Sequence, residues 1–435
     1  MAPCFGKQIL FFCLSLCVCV VVWLDIHKVL QPWIEAQTAH KSQLKAQMWD
    51  LYPRWVGARD LFFFGRSPYS IETSHEIQMA FYGRFITPQD FTRPPLHGRY
   101  DDEQRFAYPI YVVFLMAPTI HLDFAQVESW APLALGIVAA ATALFAVLLL
   151  DWNLPPLMLA SLILLVVSSP QIEQGMRHQQ LSIVVSFALT VAGWCVHKNH
   201  LATAGFMLAV ATIKPQMALL PIAWFLIWAV GEWSRRWRLL GGFAGTMVVF
   251  VGVGEVLAPG WIGDFIAGLE AYSHYFPSTS ILRVILGDTV GIIMGVFVAL
   301  AMIALGWTRR AVSGNSLEFV TMFAFFLMMT ILAFPLMTIY NHSLLVLPAM
   351  LVLHRWRNLP KVSRLLFAAL IAWTWIASAA LGLIRPAIDI TNKLPLLPGY
   401  PAAIMPLVLP ALLYGTLRRI PLSDARYELA VSDGR

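Results

Sequence analysis

The sequence predicts an all-α polytopic membrane protein with about twelve transmembrane helices and a large first extracytoplasmic loop. Three observations carry the prediction. Hydrophobic residues fill 59% of the 435 positions and charged residues only 12%, a balance that a soluble domain of this length does not carry. Apolar runs recur from Ile9 to Leu417, each of roughly twenty residues able to cross about 30 Å of hydrocarbon with its backbone hydrogen bonds closed internally. The alternation of apolar and polar residues that a membrane β-barrel needs is missing. The whole chain, 1–435, reads as a single membrane-embedded domain.

Taken in order, the apolar segments are 9–30, 107–122, 131–150, 154–170, 180–196, 201–213, 216–231, 239–258, 287–307, 316–337, 343–353, 364–384 and 399–417. Residues 9–24 follow Lys7 as a signal peptide would, but no small-x-small cleavage site precedes Asp25 and His27, so they read as an uncleaved first span. Basic connectors set the orientation: Arg235, Arg236 and Arg238; Arg309 and Arg310; His354, Arg355, Arg357, Lys361 and Arg364; Arg418 and Arg419. Placing them in the cytoplasm makes 420–435 a cytoplasmic tail. With Lys7 also inside, the number of crossings is even, so one of the thirteen segments does not span. The short segments 107–122 and 201–213 are the candidates; the second stops at Lys214-Pro215, where proline interrupts the helix. Half-helices of this kind are tolerated where protein buries them or a cavity runs beside them.

The net charge of +6 is accounted for by these connectors and reads as topology, with no nucleic-acid partner. Cys4, Cys13, Cys17, Cys19 and Cys195 offer neither metal spacing nor a loop pair for a disulfide. The orientation puts residues 31–106, 171–179, 259–286, 338–342 and 385–398 outside. The first outer loop, 31–106, holds nine acidic and nine basic residues and the aromatic clusters Phe62–Phe64 and Phe81-Tyr82, a composition that suits amphipathic helices lying in the interface. No internal repeat of two related halves is visible, as many secondary transporters would show.

Asp50 opens the string Asp50-Leu-Tyr52-Pro-Arg54-Trp-Val-Gly-Ala-Arg-Asp60, which continues to Gly65-Arg-Ser-Pro68-Tyr69. Further on stand Phe106-Ala-Tyr108-Pro109, the stretch from Gln180-Leu-Ser182 to Lys214-Pro215, and Tyr340-Asn341-His342. In this order they resemble glycosyltransferase family 87, the α-mannosyltransferase-like branch of the polytopic GT-C enzymes: an Asp followed by Gly-x-x-Pro-Tyr, a Phe-x-Tyr-Pro-Pro, a Gly-Gln-x-Ser helix start with a later Lys-Pro, and an aromatic-x-His. The chain departs at Ile110, in place of the second proline, and at Gln179, in place of glycine.

The resemblance implies a GT-C-type helical bundle in a bacterial plasma membrane with its site on the outer face. The expected reaction is hexose transfer, with mannose the first choice, from a polyprenyl phosphate to a hydroxyl of a lipid or glycan acceptor. It is inverting and metal-independent, with no cofactor beyond the polyprenyl-phosphate sugar, and the partners are that donor, the acceptor and membrane lipids, with the protein a monomer. Such a reaction needs a base for the acceptor hydroxyl and cations for the departing phosphate.

Asp50 is the expected base; the alternatives are that it caps a surface helix or pairs with Arg54. His342 is placed beside it in the catalytic set, meeting the phosphate when protonated or the sugar when neutral. Lys214, an ionisable group at membrane depth, is expected to hold the donor phosphate, with snorkelling as the alternative. Arg177, His178 and Gln180 form an expected anion site at a helix N-terminus, and Arg283 is a further phosphate candidate. Tyr52, Tyr108, Gln179, Tyr340 and Asn341 are expected to form the substrate pocket. Asp60 is read as pairing with Arg59 or Arg66. The cluster Asp101, Asp102 and Glu103 admits a divalent metal, but flanking Arg99 and Arg105 favour a solvated run, and no metal is assigned. A secondary transporter and a non-catalytic lipid-binding subunit are the competing readings. The first requires paired broken helices in two halves, and the second leaves the candidate residues scattered.

Overall fold

Apolar segments bounded by proline, glycine and polar turns form helices, and in the computed structural model every regular element among the described residues is a helix. The structure describes residues 5–33, 36, 50–87, 104–275, 279–384 and 400–417. The chain runs through α1 (Phe5–Asp25), α2 (Tyr52–Phe64), α3 (Ile71–Tyr82), the short segment Ile110–Thr119, α4 (Phe124–Leu149), α5 (Pro156–Val167), α6 (Pro170–Arg177), α7 (Ser182–His197), α8 (Leu201–Ala211) and α9 (Pro215–Gly231). It continues through α10 (Trp233–Leu257), α11 (Trp261–Tyr275), α12 (Ile281–Leu286), α13 (Asp288–Thr308), α14 (Leu317–Ala333), a 3-10 helix (Ile339–Leu345), α15 (Val346–His354), α16 (Lys361–Ile384) and α17 (Tyr400–Leu417).

All thirteen predicted apolar segments are helical. Among the described residues, five helices are long and apolar enough to cross a membrane unaided: Phe5–Trp33, α4, α10, α13 and α16. The pair α5 and α6, bent by 59°, makes a sixth if counted as one span. The others are apolar helices of 10–17 residues, among them α7, α8, α9 and α14, too short to cover about 30 Å alone. They lie deep in the bundle, where α7 and α14 bury most of their residues. The short lengths arise where a helix is interrupted before it reaches one face of the molecule.

Small residues set the closest packing. A Cβ on Gly205 of α8 would sit 2.2 Å from the Leu239 carbonyl of α10, and one on Gly242 of α10 would sit 2.3 Å from the Ala202 carbonyl. The two backbones therefore touch, the arrangement small residues permit between apolar helices.

The connectors sort on to two faces. On one, Arg236 donates to the Arg310 carbonyl at 2.7 Å, Asp151 meets His197 at 2.9 Å, Trp152 and His354 rings lie 5.3 Å apart, and Gly314 packs on Val196. Of the basic connectors predicted to share a side, those at 235–238, 309–310 and 354–364 do so; Arg418 and Arg419 fall outside the described residues. On the other face, Gln179 reaches the Glu128 carbonyl at 3.2 Å, Tyr340 N–H donates to Gln174 at 3.0 Å, and Tyr111 bonds Thr212 at 2.8 Å. The segment Ile110–Thr119 begins and ends on this second face, because Tyr111 meets Thr212 there and the Trp55 indole donates to the Thr119 carbonyl at 3.2 Å. Of the two short segments that parity singled out, this one turns back.

Candidate functional site

Five interruptions meet on the second face: the turn at Asp50 that leads into α2, the loop before Ile110, the α6–α7 connector, the α8–α9 break and the 3-10 turn before α15. Each is placed by local chemistry. Pro53 and the αL residue Gly65 delimit α2. The residue before proline is driven out of the helical region, so Lys214, at φ −132° and ψ 79°, breaks α8 from α9 while Pro215 starts the next helix. The α6–α7 connector is a Schellman turn: Gln180 N–H bonds the Gly175 carbonyl at 2.8 Å and Gln179 N–H the Met176 carbonyl at 3.1 Å, with Gln179 at φ +52°.

The first two sequence strings interlock. A Cβ on Gly57 would overlap the Phe106 ring, which packs edge-on against Tyr69 at 5.2 Å, and the Tyr69 hydroxyl donates to the Tyr108 carbonyl. Ile110, where a second proline was expected, is fully buried against Gly254.

On this frame the polar side chains converge. The Gln180 amide nitrogen donates to Asp50 Oδ2, while its oxygen accepts from Lys214 Nζ at 3.2 Å. Lys214 donates also to Asn341 Oδ1 at 2.8 Å and lies 4.8 Å from the centre of the Tyr340 ring. Arg54 donates to the Asp50 backbone carbonyl and to the Tyr108 hydroxyl, with its guanidinium 4.0 Å above the Tyr108 ring. Arg54, Gln180, Lys214, Asn341 and His342 are buried and Asp50 partly so. Burial raises the Asp50 pKa above the ordinary carboxylate range, and Arg54 and Lys214 oppose the rise. A carboxylate, a bridging amide and two cations thus share a water-poor site in which a proton and a departing anion can both be handled.

The other expected residues lie elsewhere. Of the two alternatives to a base, Asp50 caps no helix, since the N-cap of α2 is Leu51, and Arg54 donates to its backbone oxygen. Tyr52 packs among Phe81 and Phe124, 6.1 and 4.8 Å away. Gln179 turns from the cluster to Glu128. Arg177 and His178 stand at the C-terminal end of α6, not at a helix N-terminus; Arg177 meets Glu173 at 3.4 Å, and burial, then Arg177, pushes the His178 pKa down to about 3. A neutral His178 offers an anion no charge. Arg283 pairs with Asp288 at 2.6 Å. His342 lies in the same 3-10 turn as Asn341. Asp60 is fully buried between Arg66 at 3.3 Å, Arg59 at 3.5 Å and the Thr73 hydroxyl at 2.7 Å. Asp101, Asp102 and Glu103 fall outside the described residues. Arg54, read from sequence only as a partner of Asp50, is the site residue that pattern alone missed; its signal is the four-residue spacing that carries it one helical turn along from Asp50.

The family model for glycosyltransferase family 87 matches residues 106–335, more than half of the chain. The chain belongs to glycosyltransferase family 87. It is therefore a membrane glycosyltransferase, which sets aside the transporter and the non-catalytic lipid-binding readings. The match holds Tyr108, Gln180 and Lys214; Asp50 and Asn341 of this family-87 chain lie beyond its two ends and join the matched part through Gln180 and Lys214. No curated protein and no solved structure matches the chain.

Proposed function

We propose that this glycosyltransferase moves a hexose, mannose in our reading, from a polyprenyl phosphate to a hydroxyl of a lipid or glycan acceptor, with inversion at the anomeric carbon. The site is read as facing the outside of a bacterial plasma membrane, the basic connectors lying inside. Asp50 takes the acceptor proton as the oxygen attacks C1. The C1–O bond to phosphate breaks, and polyprenyl phosphate leaves as an anion drawn to Lys214. A single phosphate needs stabilised charge rather than a proton or a bridging metal, so the reading assigns this role to the lysine.

What supports the reading is one constellation: the Gln180 amide holding Asp50 at one end and Lys214 at the other. An ordinary structural ion pair would place the two charges in contact. Here a neutral dipole keeps them apart, leaving the carboxylate to act as base and the ammonium to meet an anion.

Purified protein incubated with labelled polyprenyl-phosphate sugars and membrane lipid extract should yield a labelled product. Asp50→Asn should lower turnover by about 10²–10⁴-fold, the contribution of a positioned base, with an unchanged unfolding temperature or a higher one. Full activity in that variant removes Asp50 as the base, and absence of transfer from every polyprenyl-phosphate sugar removes the donor class.

A further inference from the structure

Tyr111 is buried, and its hydroxyl stands 2.8 Å from Thr212 Oγ1 and 3.2 Å from the Thr212 carbonyl, two residues before Lys214. The direction of the bond follows from the neighbours. Thr212 Oγ1 lies 2.6 Å from the Ala209 carbonyl and 3.6 Å from Met247 Sδ, both acceptors, and its single proton goes to the nearer one. Tyr111 is therefore the donor, to the hydroxyl oxygen and the carbonyl together. In an unbroken helix that carbonyl would accept from the amide of Gln216, four residues on. The ladder of α8 ends instead at Ala211, because Lys214 leaves the helical region ahead of Pro215. A carbonyl released by such a break at membrane depth needs a partner, and the tyrosine supplies it from outside the helix.

The ring of Tyr111 is held as well. It stacks on Phe250 of α10, with centroids 4.9 Å apart and planes 16° from parallel, and meets Trp261 edge-on at 6.0 Å. Its backbone belongs to the 3-10 turn Ile110–Val112, which follows Tyr108 and Pro109. Tyr108 accepts from Arg54, which also donates to the Asp50 carbonyl. One turn of chain thus reaches both ends of the site, Tyr108 the carboxylate end and Tyr111 the ammonium end.

We propose that Tyr111 is a positioning residue for sugar transfer: through Thr212 its hydroxyl fixes the α8–α9 break, and with it the distance of the Lys214 ammonium from Asp50. The proposal rests on the donor reading given above and names what sets the spacing which that reading needs. Gln180 and Asn341 hold the charged tip of Lys214. A flexible four-carbon stem separates that tip from the backbone, so its place depends also on where the break holds the Cα.

The test uses the full-length protein in nanodiscs and reads kcat, KM and, without turnover, the affinity for polyprenyl phosphate beside that for phosphate-free polyprenol. Tyr111→Phe keeps the stacked ring and removes the donor. It should lower kcat about tenfold, the scale of a small misplacement of a reacting group, with a smaller change in KM. Affinity for polyprenyl phosphate should fall several-fold and affinity for polyprenol stay the same. Thr212→Val leaves Tyr111 only the carbonyl and should lose less, Thr212→Ser should be close to the unaltered protein, and Thr212→Val added to Tyr111→Phe should cost little more, since both act on one contact. If Tyr111→Phe does not fold, the contrast between Thr212→Val and Thr212→Ser carries the same test. In a Lys214→Met background Tyr111→Phe should leave polyprenyl phosphate affinity where it was, whereas a merely structural tyrosine would lower it again. Unchanged kcat and phosphate affinity in Tyr111→Phe, or an equal loss in the Lys214→Met background, overturns the proposal. Lys214→Met that binds polyprenyl phosphate as tightly as the unaltered protein overturns the donor reading and this proposal with it; loss in Lys214→Met without loss in Tyr111→Phe overturns the positioning role alone.

Discussion

At the scale of single residues, Gln180 decides how Asp50 behaves. Its amide can donate to a carboxylate and accept from an ammonium at once, and it makes both bonds here. Gln180→Ala should remove a hydrogen bond to a charged group, about 1.5–3 kcal/mol, and lower kcat about ten- to a hundredfold with a smaller change in KM. Steady-state kinetics would show this, and a loss confined to KM would mean that Gln180 only binds substrate. Asp50 sets the pH response. Its folded-state pKa is raised by burial, and a base works only when ionised, so kcat/KM should fall with falling pH along a limb that begins above the ordinary carboxylate range. The stability sign is opposite to that of a salt-bridged aspartate. A raised carboxylate pKa makes its charge a cost to the fold that is absent below the unfolded-state pKa and complete above the folded one. Asp50→Asn should therefore raise the unfolding temperature at neutral pH while removing the acid limb from whatever activity remains; an unshifted limb would assign it to another group.

At the scale of elements, the two acidic residues of α2 and its lead-in turn part company. Asp60 fastens α2 to α3 through Thr73 and anchors Arg66 and Arg59, so Asp60→Ala should cost about 2–3 kcal/mol through unpaired buried groups. Its specific activity below the unfolding temperature should stay near normal, the reverse of the Asp50→Asn pattern, and a thermal melt beside an assay separates the two. The Schellman turn offers a finer test. Gln179 at φ +52° holds a conformation that glycine adopts without strain, which gives a backbone reason for the glycine expected at that place. Gln179→Gly should change stability by no more than about 1 kcal/mol, relief of strain offsetting the lost bond to Glu128, while Gln179→Val should destabilise, and chemical denaturation would rank them. The apolar helices were legible in the sequence because their runs are long. The helices α6, α11 and α12 were not resolved as elements because they are short or mix polar and apolar residues without a run. Within the site, Gln180, Lys214 and Asn341 could be named from their strings, but the contacts of Gln180 with Asp50 and of Lys214 with Asn341 each span more than a hundred residues of chain. Arg177 and His178 looked like a helix start only because periodicity does not tell the end of α6 from the beginning of α7.

At the scale of the whole molecule, the two faces divide the work between stability and chemistry. Arg236 closes the basic face: it donates to the Trp228 and Arg310 carbonyls at 2.7 Å and to the Val312 carbonyl at 3.1 Å, pairs with Glu232 at 3.1 Å and lies 3.9 Å over the Trp228 ring. The Trp228 carbonyl belongs to the last turn of α9, whose acceptors have no partner within the helix, and Arg310 and Val312 belong to the connector between α13 and α14. One planar guanidinium thus ties three helices that the bilayer alone would leave free to slide, because apolar contacts between helices gain little over contacts with lipid. A lysine gathers its three donors on one nitrogen and cannot reproduce a set of partners divided between Nη1 and Nη2. Arg236→Ala should cost about 3–5 kcal/mol and Arg236→Lys only somewhat less, read as a lowered unfolding temperature in detergent. The Asp50 cluster sits at the opposite ends of the helices and shares no partner with Arg236, so distant effects should add rather than couple. Arg236→Ala and Gln180→Ala combined should show the first variant's melting temperature and the second variant's kcat. A double variant whose kcat falls well below that of Gln180→Ala alone would mean that the bundle transmits the state of one face to the other.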